Sequence, residues 1–157
     1  MAFTDVTNGS RVIFEAVGPC KIVLSAACKT GDLLGDSGSN TWVLADGNAA
    51  TPVRGRLIAG QAGASGDEIT AYKAAVMSGL SGAAKGDPIF LSDTAGGYGA
   101  SASATTPQQV GVALTATEIL IDPAEFAEQL VPTNKKLYFR DANTWLNSPS
   151  ECQMESA

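Results

Sequence analysis

Gln109-Val-Gly-Val-Ala-Leu-Thr115, followed after two residues by Glu118-Ile-Leu-Ile-Asp122, decides the fold class. Side chains of an extended chain point alternately to its two faces, so each run offers one face to a core. Val110, Val112 and Leu114 fall on one face of the first run, with Gly111 and Ala113 opposite. Ile119 and Ile121 share a face of the second. Two such runs joined by a few polar residues predict adjacent β-strands.

The same texture extends in both directions. Upstream, Pro88–Ser92 places Ile89 and Leu91 together, and Glu68–Lys73 and Val53–Ala59 form further short runs. Thr41–Ala45 puts Trp42 and Leu44 on one face, and Lys21–Ser25 carries Ile22, Val23 and Leu24. Ser10–Val17 alternates with Val12, Phe14 and Ala16 on one side. Trp42 and Phe90, inside such runs, are expected in the core. Ala71–Leu80 is rich in Ala, but Ile69-Thr70 and Gly79 make extended structure at least as good a reading as helix. Pro123–Leu130, with Pro in its first turn and Phe126 and Leu130 four apart, is the best helix candidate. The class predicted is all-β with little helix.

The links between runs support this. Asp46-Gly47 and Gly96-Gly97 are turn dipeptides. The pair Gly-Asp recurs at Gly31-Asp32, Gly66-Asp67 and Gly86-Asp87, each time just before an apolar or alternating run. A Gly at such a place lets the chain reverse, and the Asp carboxylate can accept hydrogen bonds from nearby backbone N–H groups. Lys29-Thr-Gly-Asp-Leu-Leu-Gly-Asp-Ser-Gly38 is similar in wording to Lys85-Gly-Asp-Pro-Ile-Phe-Leu-Ser-Asp-Thr-Ala-Gly96. Two β-units of similar build within one barrel-like domain are expected, although these residues leave an open barrel and a sandwich equally open.

Three segments follow from the pattern: an N-terminal segment 1–19, a compact β-domain 20–130 and an extension 131–157. The extension begins around Pro132, holds Lys135-Lys136 and Tyr138-Phe139, and ends in a polar tail. Leu137 and Phe139 alternate, and Trp145-Leu146 follows a turn at Asp141-Ala142-Asn143. It is a short C-terminal β-type extension with too few large side chains to fold alone, so packing on a neighbour is expected. Tyr98, Leu137, Phe139 and Trp145 are the candidate interface residues, because aromatic groups concentrate at binding hot spots.

Composition narrows the function. Of 157 residues, 25 are Ala and only 42 are Ile, Leu, Val, Phe, Met, Trp or Tyr. Large side chains dominate burial energy at about 25 cal/mol per Å², so such a chain gains from self-association. Net charge is −6 with no basic run, which argues against binding nucleic acid or an anionic membrane. No stretch approaches the roughly 20 apolar residues of a membrane span, and Met-Ala-Phe-Thr-Asp lacks the pattern of a signal peptide.

Chemistry is sparse. The sequence contains no His, which removes the commonest general base and any Ser-His or Cys-His pair. Neither a Gly-x-Ser-x-Gly elbow nor a phosphate-binding loop occurs. Gly97-Tyr-Gly99-Ala-Ser-Ala102 fits a loose dinucleotide fingerprint but precedes a loop, where the motif requires a helix. Asp32, Asp36, Asp87 and Asp93 lack the spacing of a calcium-binding hand and are expected to serve turns. Cys20, Cys28 and Cys152 have no metal-site spacing; Cys20 and Cys28 are expected as small, partly buried thiols, with a disulfide between them the less favoured alternative. No catalytic group, cofactor or metal is expected.

The stretch Cys20–Pro123 resembles the capsid cement, or head decoration, proteins of tailed bacteriophages. The resemblance is carried by Val76-Met-Ser-Gly-Leu-Ser-Gly82, by Lys85-Gly-Asp-Pro-Ile-Phe-Leu-Ser-Asp-Thr-Ala-Gly-Gly97, by Gln109-Val-Gly-Val-Ala-Leu-Thr115 and by Glu118-Ile-Leu-Ile-Asp-Pro123. In that family a Gly-Asp turn opens a strand and a Val-Gly-Val-Ala-Leu strand closes the domain. Gly31-Asp32 and Gly86-Asp87 match those turns. The resemblance implies a compact β-barrel or "β-tulip" domain and a homotrimer. Such a trimer sits on the outer surface of the virion head and clamps the major capsid protein, after synthesis in the host cytoplasm. The final 27 residues depart from the family pattern and are more like the extensions of phage fibres. The alternative expectation is therefore a trimeric fibre module contacting a receptor or another virion protein.

Overall fold

A computed structural model describes residues 4–5, 11–78, 80–128, 137–138 and 145–146. Among the described residues there are fifteen strands and one helix. The first half contains β1 (Thr4–Asp5), β2 (Ile13–Val17), β3 (Cys20–Val23), β4 (Leu33–Asp36), β5 (Trp42–Leu44), β6 (Leu57–Ala59) and β7 (Glu68–Tyr72). There follow β8 (Ala74–Ser78), β9 (Leu80–Ser81), β10 (Pro88–Leu91), β11 (Tyr98–Gly99), β12 (Gln109–Ala113) and β13 (Glu118–Ile121). The helix α1 (Pro123–Glu128) precedes β14 (Leu137–Tyr138) and β15 (Trp145–Leu146). The chain is all-β, as the alternating runs predict.

Two antiparallel sheets carry the body, and they do not merge into a closed barrel. The barrel expectation is corrected on this point. One sheet has the order β3-β7-β6-β4-β5, the other β11-β10-β12-β13-β8-β2. Read from β5 and from β11, the two are the same arrangement: β5-β4-β6-β7-β3 matches β11-β10-β12-β13-β8. The chain thus lays down one five-strand plan twice and adds β2 as a sixth strand to the second copy. Because β2 pairs with β8 along Ile13–Val17, the compact body includes residues upstream of Cys20.

Each unit opens its second strand on the same turn. Asp32 N–H donates to Lys29 O (3.1 Å), and the Asp32 carboxylate accepts from Lys29 N–H (2.9 Å). Asp87 repeats both bonds with Ala84 (3.0 and 2.8 Å), and Asp67 repeats them with Ala64 (3.1 and 2.8 Å) ahead of β7. The residue before each Asp is a Gly at positive φ: 83° at Gly31 and 91° at Gly66 and Gly86. That backbone conformation costs an L side chain energy, which is why the pair is Gly-Asp each time.

The six-stranded sheet packs one face on the five-stranded sheet. The shared core holds Met77, Ile89, Leu91, Val110, Ile119 and Ile121 from the larger sheet and Leu33, Ala45 and Ile58 from the smaller unit. The smaller sheet is buried on its other face too, around Ile22, Leu24, Leu34, Leu57 and Ile69. It curls until Leu24 meets Trp42 in one parallel bridge, where Ser25 N–H donates to Trp42 O (2.9 Å). This double burial explains why Leu33-Leu34 and Leu57-Ile58 are unbroken apolar pairs.

Alternation misplaces two faces, both at bulges. On β12 the pairing with β10 shifts register between Ile89 and Phe90, which turns Val110 inward with Gly111 and Ala113. Val112 is half-buried and Leu114 exposed, the reverse of strict alternation. On β2 a register shift between Ile13 and Glu15 sends Ile13 and Ala16 to the core and leaves Val12 and Phe14 exposed. A bulge adds one unpaired residue and resets every face beyond it. Ala74–Ser78 is strand, and Phe90 is only half-buried. The helix is capped by Asp122, whose carboxylate accepts from Glu125 N–H (3.2 Å), with Pro123 in its first position.

Candidate partner-binding surface

The Gly-Asp turns are the first place to look for function, and one of them is unusual. Arg11 and Asp32 form a salt bridge at 3.0 Å with both side chains all but fully buried. The other Asp32 oxygen accepts Lys29 N–H (2.9 Å). The Arg11 guanidinium lies 4.9 Å from the centre of the Tyr98 ring, within cation–π range. Tyr98 in turn donates its hydroxyl to Gly31 O (2.8 Å). Gly31, Asp32, Tyr98 and Arg11 therefore form one clamp between the two units. Gly86 and Asp87 lie apart from it, bonded to Ala113 on β12 (2.8 Å each).

Tyr98 as an interface residue is corrected by this geometry. It is 2% exposed. Its ring fills the shared core and its hydroxyl is consumed by a backbone carbonyl, so it is unavailable to a partner. The sequence placed it in a Gly-rich turn; in fact Tyr98-Gly99 pairs with Phe90-Leu91 as an edge strand. Arg11 gave no signal, since a lone Arg beside an alternating run is ordinarily solvated.

Burial pushes the Asp32 carboxyl above its usual value, against the opposing pull of the Lys29 N–H and the Arg11 charge. Burial, and then the Asp32 charge, also push the Cys28 thiol up. Cys28 is buried and Cys20 half-buried, and both are free thiols. Neither has the exposed, electropositive setting of a reactive cysteine. Among the described residues, no three His, Cys, Asp or Glu side chains gather where a metal could sit. No helix among them is long and apolar enough to cross a membrane.

The surface offers more. Among the described residues five large apolar side chains are exposed: Val12, Phe14, Val17, Val23 and Leu114. Three of these lie within six residues at β2, exposed at 54%, 58% and 57%. The outer face of the six-stranded sheet continues the patch. Register places Glu15, Val76, Leu120, Val112 and Pro88 in one row across β2, β8, β13, β12 and β10. Apart from Glu15 the row is apolar, and no residue in it is fully buried. A groove of about 240 Å³ runs along it between Glu15, Val17, Ala74, Val76 and Leu120. An antiparallel sheet with one solvated face normally carries polar side chains there.

Among the described residues β2 pairs with β8 alone, which makes it an edge of its sheet. Of the remaining sequence-predicted interface residues, Leu137 and Trp145 belong to the β14–β15 ladder, whose backbone pairs Leu137 with Leu146 and Tyr138 with Trp145. Phe139 lies outside the described residues. The β2 patch was hidden in the sequence because Val12 and Phe14 looked like one core face. Comparison with protein-family models, curated proteins and solved structures finds no match to this chain.

Proposed function

We propose that this chain is a structural virion protein, a trimeric cement protein that binds the outer surface of a phage head and stabilises the major capsid protein lattice. The observation that supports it best is the apolar outer row of the six-stranded sheet, with its exposed edge at β2, on a body of two tightly packed sheets. Such a surface favours lasting contact between proteins. The resemblance of Cys20–Pro123 to cement proteins points the same way.

A head filled with DNA is pushed outward, and a clamp opposes that push by burying surface across junctions that would otherwise open. A standard interface buries on the order of 1,600 Å². A trimer repeats the contact, so that once one subunit docks the others bind at high effective concentration. No bond is made or broken, and nucleic acid, membrane and cofactor have no part in it.

Electron microscopy of heads with and without the protein tests this reading. Density in hundreds of copies at junctions of the capsid lattice is expected, along with greater resistance of decorated heads to heat. Copies in the tens, at a vertex or on the tail, would favour the fibre module instead, a reading motivated by the segment beyond Pro132.

A further inference from the structure

We infer that the outer face of the six-stranded sheet at β2 is covered by a second copy of this chain, through that copy's β14–β15 ladder. The inference rests on the oligomeric reading above and assigns it a surface. Three observations carry it. First, the face is built for cover: Val12, Phe14 and Val17 are each more than half exposed, beside the groove lined by Ala74, Val76 and Leu120. Second, among the described residues the β14–β15 ladder pairs with neither large sheet of its own chain. Its backbone pairs Leu137 with Leu146 and Tyr138 with Trp145, so all four of its residues are apolar or aromatic in kind. A two-stranded ladder of this size is marginal in water by itself and needs a surface to lie on. Third, the charges match. Glu15 is exposed in the middle of the β2 patch, and Lys135-Lys136 directly precede β14.

The fit has a chemical logic. The edge of β2 can accept a further strand, because among the described residues no strand pairs with it on that side. Strand addition supplies main-chain hydrogen bonds, and the neighbouring apolar row supplies the contact that selects Leu, Tyr and Trp. Pairing Glu15 with the two lysines fixes the direction in which the ladder lies, since charge complementarity sets register more than affinity.

The test uses the full chain and its mass in solution, measured by light scattering over a concentration series. The wild type is expected as an oligomer. Phe14→Asp is expected to give monomer with an unchanged β-type circular dichroism spectrum. Glu15→Lys, at an exposed position that leaves folding intact, is expected to weaken association by about tenfold, the scale of a lost charge pair set against a new like-charge contact. Adding Lys135→Glu and Lys136→Glu to Glu15→Lys is expected to restore it. A monomeric wild type, an oligomer indifferent to both β2 substitutions, or a charge reversal without rescue would each overturn the inference. The cement reading fails separately: an oligomer that responds as expected but does not bind purified heads sinks that reading alone. A chain that decorates heads while its mass ignores every substitution sinks only this inference.

Discussion

At the scale of single residues, the buried Arg11–Asp32 pair is the most sensitive point of the molecule. Its two charges are held apart from water and satisfied mainly by each other, by Lys29 N–H and by the Tyr98 ring. Removing one member of such a pair leaves the other stranded, at a cost of about 3–5 kcal/mol. Arg11→Met is expected to show this loss in urea unfolding at neutral pH. The sign of its pH dependence follows from Asp32, whose folded carboxyl is raised above its unfolded value. The folded state therefore holds that proton more tightly. The Asp32 contribution favours folding below the ordinary carboxylate range and is lost as pH rises through the raised value. Without Arg11 the carboxyl rises further, so the gap between Arg11→Met and wild type should narrow as pH falls and Asp32 takes up its proton. A gap that widens on acidification would contradict the charge pairing of Arg11 with Asp32. Gln108 is a second such point. Its side-chain amide accepts from Gly55 N–H (2.9 Å) and donates to Gly55 O (2.8 Å), tying the start of β12 to the strand region of the first unit. Gln108→Ala orphans both buried groups and should destabilise by about 1–3 kcal/mol per unpaired group. Chemical denaturation checks it, and a loss below half a kilocalorie would mean that water replaces the amide.

At the scale of elements, strands were legible where one side chain in two had to be apolar, and turns where backbone conformation dictated a residue type. Pro88–Leu91, Glu118–Ile121 and Trp42–Leu44 fall inside their predicted runs, and Gly31-Asp32, Gly66-Asp67 and Gly86-Asp87 are turns of one design. The faces of β2 and β12 were not legible, because a bulge depends on the partner strand's register and not on local spacing. The Leu33–Asp36 strand was obscured by Gly35, whose absent side chain makes room for Val53 and for the backbone carbonyl of Arg54. Gly111 on β12 has the same kind of role. A methyl group there would land on the Leu120 carbonyl oxygen and press against Ile121, both on the paired strand. Gly111→Ala should therefore destabilise by about 1–3 kcal/mol, the usual cost of overpacking a sheet interior. Gly86→Ala meets no atom within 4 Å but sits at φ 91°, so its cost is conformational only. Thermal unfolding of the two variants, each alone and with Ile121→Val, separates steric from backbone causes: Ile121→Val should recover part of the loss in Gly111→Ala, the clash with the Leu120 carbonyl remaining, and none of the loss in Gly86→Ala.

At the scale of the whole molecule, the repeated plan raises the question of whether two units make one cooperative body or two. Sequence similarity between the Lys29–Gly38 and Lys85–Gly96 segments hinted at the duplication, but strand order needed the ladders, because order is a property of long-range pairing. Nor did the sequence say that the second unit would use the first as the floor of its core. Leu33, Ala45 and Ile58 are fully buried against Met77, Ile89 and Ile119, and the Arg11–Tyr98–Asp32 clamp spans the same junction. The first unit has a second core of its own around Leu24 and Ile69. The second unit has no other core among the described residues, so it loses its packing surface if the first unit opens. Ile58→Ala removes a fully buried side chain at that junction and should cost about 2–5 kcal/mol. Because both units share the site, the loss should lower a single transition, with tryptophan fluorescence and far-ultraviolet circular dichroism moving together. Two resolved transitions in Ile58→Ala, with the later one carrying the smaller share of the β signal, would show instead that the first unit stands alone and the second merely rests on it.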